Sequence, residues 1–150
     1  YFPVELEYGY SVFPTVFQPF MVFSPDNVRI HGITPDQVAD KPQFDALWND
    51  IRPHLEGQIL MAHYAVFDTR VLRSLIKTYH LEAPAAKYAC TVEISRKVWP
   101  DLCNHKLDTV AGFLGFQFHH HQALDDARAC AVIACKAAEK VGAASCFHAR

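Results

Sequence analysis

Two short stretches carry the side chains best placed for chemistry: AHYAVFDTRVL, residues 62–72, and HHHQALDDARACAVI, residues 119–133. In the first, Asp68 comes shortly after an apolar run and just before a helical pattern. The carboxyl ends of strands line the ligand crevice in open α/β sheets, so a carboxylate there can face a ligand. Asp is also a favoured helix cap, and by itself the position fits either role. In the second, His121 and Asp126 stand five residues apart. They cannot share a helical face if both are helical. With His121 in the loop before a helix and Asp126 in its first turns, both border one cleft. The carboxylate can then hold a divalent cation, and the imidazole can take a proton from water. The plainer alternative is a helix start whose acids are favoured by the helix dipole, preceded by solvated histidines.

The elements that must position these groups can be read along the chain. Residues 7–23, EYGYSVFPTVFQPFMVF, are rich in Val, Phe and Tyr and are broken at Pro14-Thr15. That predicts a strand, a tight turn and a second strand. Thr34, Pro35 and Gln37 supply an N-cap, a first-turn proline and a capping box. Phe44, Leu47, Trp48 and Ile51 continue at helical spacing, and Gly57 ends that helical region. QILMAH (58–63) and KYACTV (87–92) predict short strands. Between them, Val71, Leu72, Leu75, Ile76 and Tyr79 form one helical stripe. A further helix ends near Trp99-Pro100, a short one over HKLDTVAGFLGF ends at Gly115, and residues 123–141 form the last. The small residues 142–150 are expected to fray. Strands first, then alternating helix and strand, give the α/β class with a mixed sheet.

Composition bounds the rest. A chain of 150 residues, 51% hydrophobic and 20% charged, is one domain, 1–150, with an ordinary globular balance. A formal charge of −2 argues against a broad basic surface for duplex DNA. It leaves room for an acidic cleft that takes a phosphodiester through metal ions. The five cysteines are scattered and form no C-x-x-C. That points away from zinc and disulfides, to reduced thiols in a cytoplasmic protein. No apolar run reaches membrane-spanning length, and the opening YFPVELEYGY lacks the basic start of a signal peptide. It also lacks an initiator Met, so natural sequence upstream is an open expectation.

Four segments in order, IHGITPDQV, AHYAVFDTRVL, HKLDTVAGFLGF and HHHQALDDARACAVI, resemble the motif series of the DEDDh, or DnaQ-like, 3′–5′ exonuclease superfamily. The resemblance spans about residues 7–140. Relatives in that superfamily include the proofreading subunit of bacterial replicative DNA polymerase and ribonuclease T. The family's H-x-A-x-x-D is met by His121, Ala123 and Asp126, and its H-N-A-x-F-D by His63, Ala65, Phe67 and Asp68. The resemblance implies a ribonuclease H-like mixed sheet flanked by helices and hydrolysis of phosphodiesters at nucleic-acid 3′ ends. It implies two Mg²⁺ or Mn²⁺ ions, with Asp68 and Asp126 as ligands and His121 as general base. Asp125 then becomes a solvated neighbour or a helix-dipole acid. His31, His63, Tyr64 and Phe67 become substrate-binding candidates on a single-stranded DNA or RNA end. Tyr64 replaces the family's usual Asn, and its phenol could stack on a base or simply pack.

One departure matters. The family's first two carboxylates come as D-x-E on the first strand, where alternation sets both on one face. Here the segment reads VELEYGYSVF. Either Glu5 and Glu7 replace that pair, or Glu7-Tyr8-Gly9 matches the family's second-strand E-x-G and the usual first strand is lacking. The second register is preferred, because the first leaves too few residues before His31. It implies a weakly held cation and impaired activity. It also implies an apolar edge over Tyr8 to Phe23, which a homodimer would cover. Two alternatives stand beside the exonuclease reading. One is an inactive relative that binds nucleic acid or protein. The other is an unrelated α/β domain using cysteine chemistry, which no cysteine–histidine spacing supports.

Overall fold

The computed structural model describes residues 4–5, 11–12, 24–119 and 122–142. Helix α1 (Pro25–His31) follows an extended Ser24 and has proline at its first position, where the missing N–H costs nothing. It was not expected; the aromatic run just before it hides the switch from strand to helix. Its start carries the same signal as Thr34-Pro35. At its end Gly32 takes φ 71°, a left-handed conformation, and its N–H donates to the Val28 carbonyl at 2.8 Å.

Helix α2 (Pro35–Val38) opens with the predicted capping box, the Thr34 N–H donating to Gln37 Oε1 at 2.7 Å. The helical region does not run unbroken to Gly57. Pro42 disfavours helical geometry at Lys41, and the chain restarts as α3 (Phe44–Leu55). Phe44, Leu47 and Trp48 bury one face of α3. The Phe44 ring lies 5.4 Å from Trp48 and 6.3 Å from Tyr79. After α3 the Gly57 N–H donates to the Ala85 carbonyl at 2.9 Å, stitching the helix end to the start of a later strand.

Strand β3 (Ile59–Ala62), helix α4 (Ala65–Thr78) and strand β4 (Lys87–Cys90) form a β-α-β unit. The strands are parallel, with Ile59 opposite Lys87 and Ala62 opposite Cys90. The predicted strand KYACTV stops at Cys90, because Thr91 and Val92 already open α5 (Thr91–Val98). Helices α6 (Leu107–Phe113) and α7 (Ala123–Lys140) complete the order. Trp99, Leu107, Val110, Ala111, Ala129, Ile133 and Ala137 form the main core. Alanine on the buried face of α7 lets α5 and α6 approach closely, and the same helix touches β3.

Near the start of the chain, β1 (Val4–Glu5) pairs antiparallel with β2 (Ser11–Val12), with Glu5 opposite Ser11. Antiparallel and parallel pairings are thus both present. Among the described residues they form two two-stranded sheets with no hydrogen bonds between them. The predicted turn at Pro14-Thr15 and the strand up to Phe23 lie outside the described residues, as does most of the segment where the usual first strand was expected to be lacking. Residues 143–150 lie outside them too.

Candidate active site

The carboxyl ends of β3 and β4 face the start of α7, and the side chains there are joined by a chain of hydrogen bonds. His63, the residue after β3, has its Nε2 2.9 Å from the His105 carbonyl oxygen. A carbonyl only accepts, so Nε2 carries the proton and Nδ1 is the acceptor. The Thr91 hydroxyl donates to that Nδ1 at 3.0 Å. Thr91 is fully buried at the start of α5, and its oxygen lies 3.4 Å from Cys130 Sγ on α7, which can donate to it. His105 in turn contacts the Trp99 carbonyl through Nε2 at 3.0 Å. One polar chain thereby ties the end of β3, the start of α5, α7 and the 99–105 loop together.

The charges around this chain explain its titration. Burial pushes the His63 imidazole below its usual value, opposed by its bond to His105 and by the fields of Asp108 and Asp126. Burial also pushes the Cys130 thiol up to about 11, with Asp68 and Cys90 adding to the effect. So Asp126 is felt at His63, and Asp68 at Cys130, one helical turn beyond Asp126 on α7.

Asp68 lies in the first turn of α4, exposed at its edge. Enough protein surrounds it that burial raises its carboxyl above the usual range, only partly offset by its own backbone N–H. Its side chain accepts no hydrogen bond from any other described residue. Tyr64, just before α4, has φ 68° and ψ 51°, left-handed values that a residue with a Cβ adopts at a cost. Its ring is 63% exposed and Phe67 is 64% exposed, which sets an apolar, aromatic lip beside Asp68. Asp125 is engaged rather than merely solvated: it contacts the His119 N–H at 3.3 Å and Arg128 at 3.4 Å, pinning the segment before α7.

Other predicted residues are less fully placed. His31 closes α1, with its side chain outside the description. Glu5 lies in β1, paired to β2. Glu7 and His121 lie outside the described residues. Thr91, Cys130, His105 and Asp108 join the site without having been singled out. Only the position of Thr91 at a strand's carboxyl end hinted at a role.

Oxygen ligands of the Asp68 and Asp126 type suit a hard cation such as Mg²⁺ or Mn²⁺. Asp68 is open to solvent yet partly surrounded by protein, a carboxylate of the kind such an ion takes. Among the described residues, no group of three or more His, Cys, Asp or Glu side chains is gathered as a ligand set. No helix among them is long and apolar enough to cross a membrane.

Comparisons with known proteins agree on one kind of protein. A family model described as an exonuclease, of the RNase T type, matches residues 6–134. The chain is 34% identical over 132 residues to a PolC-type DNA polymerase III of Caldanaerobacter subterraneus, covering 87% of this chain and 9% of that one. It is 31% identical to the DNA polymerase III epsilon subunit of Treponema pallidum, over 79% of this chain and 56% of that one. It is 33% identical to exodeoxyribonuclease 10 of Escherichia coli, over 73% and 46%. The chain thus spans about half the length of the last two and about a tenth of the polymerase. Among solved structures, exonuclease X in complex with 5′ overhanging duplex DNA matches with a TM-score of 0.69 and 26% identity, over 93% of this chain and 81% of that one.

Proposed function

The chain belongs to the RNase T-type exonuclease family, and on that premise we propose that it is a 3′–5′ exonuclease domain hydrolysing phosphodiesters at single-stranded DNA or RNA ends. The observation that supports this reading is the buried His63–Thr91–Cys130 network, which ties the segment leading into α4, where Asp68 sits, to α7, which carries Asp126. Exonucleases of this kind generally use divalent metals. Asp68 and Asp126 would hold the cation, with Glu5 and Glu7 as further candidates. When bound, such an ion neutralises the phosphodiester and activates water for in-line attack. His121 acts as general base and takes the proton from that water. Tyr64 and Phe67 offer ring faces to the terminal bases, and His31 is a further candidate for contact with the strand. His63 spends both ring nitrogens on protein partners, so it serves the substrate by fixing the start of α4, where Tyr64, Phe67 and Asp68 sit.

On this reading its activity is low, because VELEYGYSVF holds no D-x-E pair. The same observation favours a second reading, a relative that retains the scaffold and binds nucleic acid or protein without turnover. A labelled single strand incubated with Mg²⁺ or Mn²⁺ separates the two. Slow, cation-dependent degradation that disappears in Asp126→Ala supports the enzyme. No degradation, with strand binding intact, supports the binding module. Robust degradation would instead make Glu5 and Glu7 ligands, and Glu5→Gln and Glu7→Gln would each then reduce the rate.

A further inference from the structure

Away from the carboxylates, the back of α4 carries a recess of about 610 Å³, lined by Arg73, Ile76, Lys77, His80, Leu81, Ala83, Pro84, Ala86 and Tyr88. Ile76, Leu81, Pro84 and Ala86 make much of the lining apolar, and Arg73 and Lys77 add two cations to it. The Tyr88 ring is 37% exposed, with the Arg73 guanidinium over it at 5.9 Å. No described carboxylate neutralises Arg73, Lys77 or His80. Glu82, two residues from His80, pairs instead with Arg52 at 3.1 Å. On a chain of net charge −2, this is a local concentration of positive charge beside an aromatic face. Helical geometry separates it from the candidate active site. Lys77 lies nine residues beyond Asp68, roughly 13 Å along α4 and on its opposite side at about 100° per residue.

A cleft of this size suits a nucleotide-sized ligand. Aromatic faces stack on any base, and unpaired cations take phosphates, the combination that single-strand binders use. We propose that this recess is a second nucleic-acid contact, holding a base against Tyr88 and its phosphates against Arg73 and Lys77. It rests on the nuclease reading only in its choice of polymer. An acidic peptide could meet the cations but gains nothing specific from a stacking ring, so nucleic acid is the occupant the lining favours.

The test is fluorescence anisotropy of a labelled 12-nucleotide single strand in EDTA, where no cation supports hydrolysis. Arg73→Gln/Lys77→Gln is expected to weaken binding about tenfold at low salt. It should also reduce the slope of log affinity against log salt by about 1.4, two single-strand phosphate contacts' worth. Tyr88→Leu is expected to lose affinity severalfold while Tyr88→Phe keeps it, because the ring and not the hydroxyl stacks. Lys97→Gln, an exposed charge change on α5, is the control. Affinity and slope unchanged in the double variant would overturn the proposal. So would a polyglutamate peptide that binds the recess while the oligonucleotide ignores it. Dinucleotide hydrolysis, measured separately with Mg²⁺, reports on the catalytic centre alone. A chain that binds through the recess but never cleaves loses the enzyme reading and keeps this one.

Discussion

Replacing Tyr64 with Asn should stabilise the protein and weaken its hold on nucleic acid at the same time. Tyr64 sits at φ 68° and ψ 51° immediately before α4. A left-handed residue with a Cβ pays roughly 1–2 kcal/mol, and Asn pays less because its short polar side chain bonds locally. The ring is mostly exposed, so truncating it forfeits little burial. The net gain for Tyr64→Asn is about 1 kcal/mol, or roughly 2–4 °C in Tm for a domain of this size. Tyr64→Ala keeps the strain and should gain nothing. Tyr64→Gly relieves the strain but adds about 0.5–1 kcal/mol of unfolded-state entropy, and falls between. Thermal melts of the three variants check the order Asn above Gly above Ala. If Ala matched Asn, backbone strain would not be the cause and the reasoning would fail. The second readout is binding. If the ring stacks on a terminal base, Asn should lose affinity worth roughly 1–3 kcal/mol, so stability and affinity move in opposite directions.

Four further outcomes follow from the same geometry. Asp68→Asn should raise stability slightly in urea melts at neutral pH, since the folded state resists ionising this carboxyl, and the gain should vanish below the usual Asp range. His63 holds its proton less tightly when folded, so the unfolded chain binds more protons just below pH ~6.5 and stability should fall with pH there. In urea titrations from pH 7.5 to 5, His63→Leu should flatten that slope while costing about 2–3 kcal/mol at pH 7 by stranding Thr91 and the His105 carbonyl; an unchanged slope would clear His63. Of the described cysteines, Cys103 is exposed and Cys130 buried with a raised pKa, so a thiol reagent at pH 8 should modify Cys103 first in native protein, and rapid native labelling of Cys130 would contradict the buried network. Light scattering at micromolar concentration should report a homodimer, while a clean monomer with its N-terminal segment protected from hydrogen exchange would mean that residues 1–6 complete the sheet.

Much of this was legible in the residues because local and global signals agreed. The strand ILMA and the long alanine helix were expected within a residue or two of their observed bounds, and the stripe from Val71 to Tyr79 falls on α4, which begins earlier, at Ala65. The capping box at Thr34 formed as written. Misses arose where a tertiary or steric effect overrode the pattern. Pro42 split one helix in two, and Thr91 left its strand early to become the buried hydroxyl between His63 and Cys130. The candidate carboxylates were visible as motif positions. The polar network behind them was not, because three of its members, Thr91, His105 and Cys130, have no spacing relation to one another. Only the meeting of β3, β4 and α7 makes them neighbours.

That network has a consequence for how such a chain can change over generations. Each polar atom in the His63–Thr91–Cys130 chain is satisfied by protein, and none of those bonds requires a cation or a substrate. Selection for a folded, soluble product and selection for turnover therefore act on different residues. A lineage could shed its metal-binding carboxylates one at a time and keep the same interior, the same helices and close to the same melting temperature. Descendants of an active nuclease would then persist as intact scaffolds, free to acquire new partners on surfaces the chemistry never used.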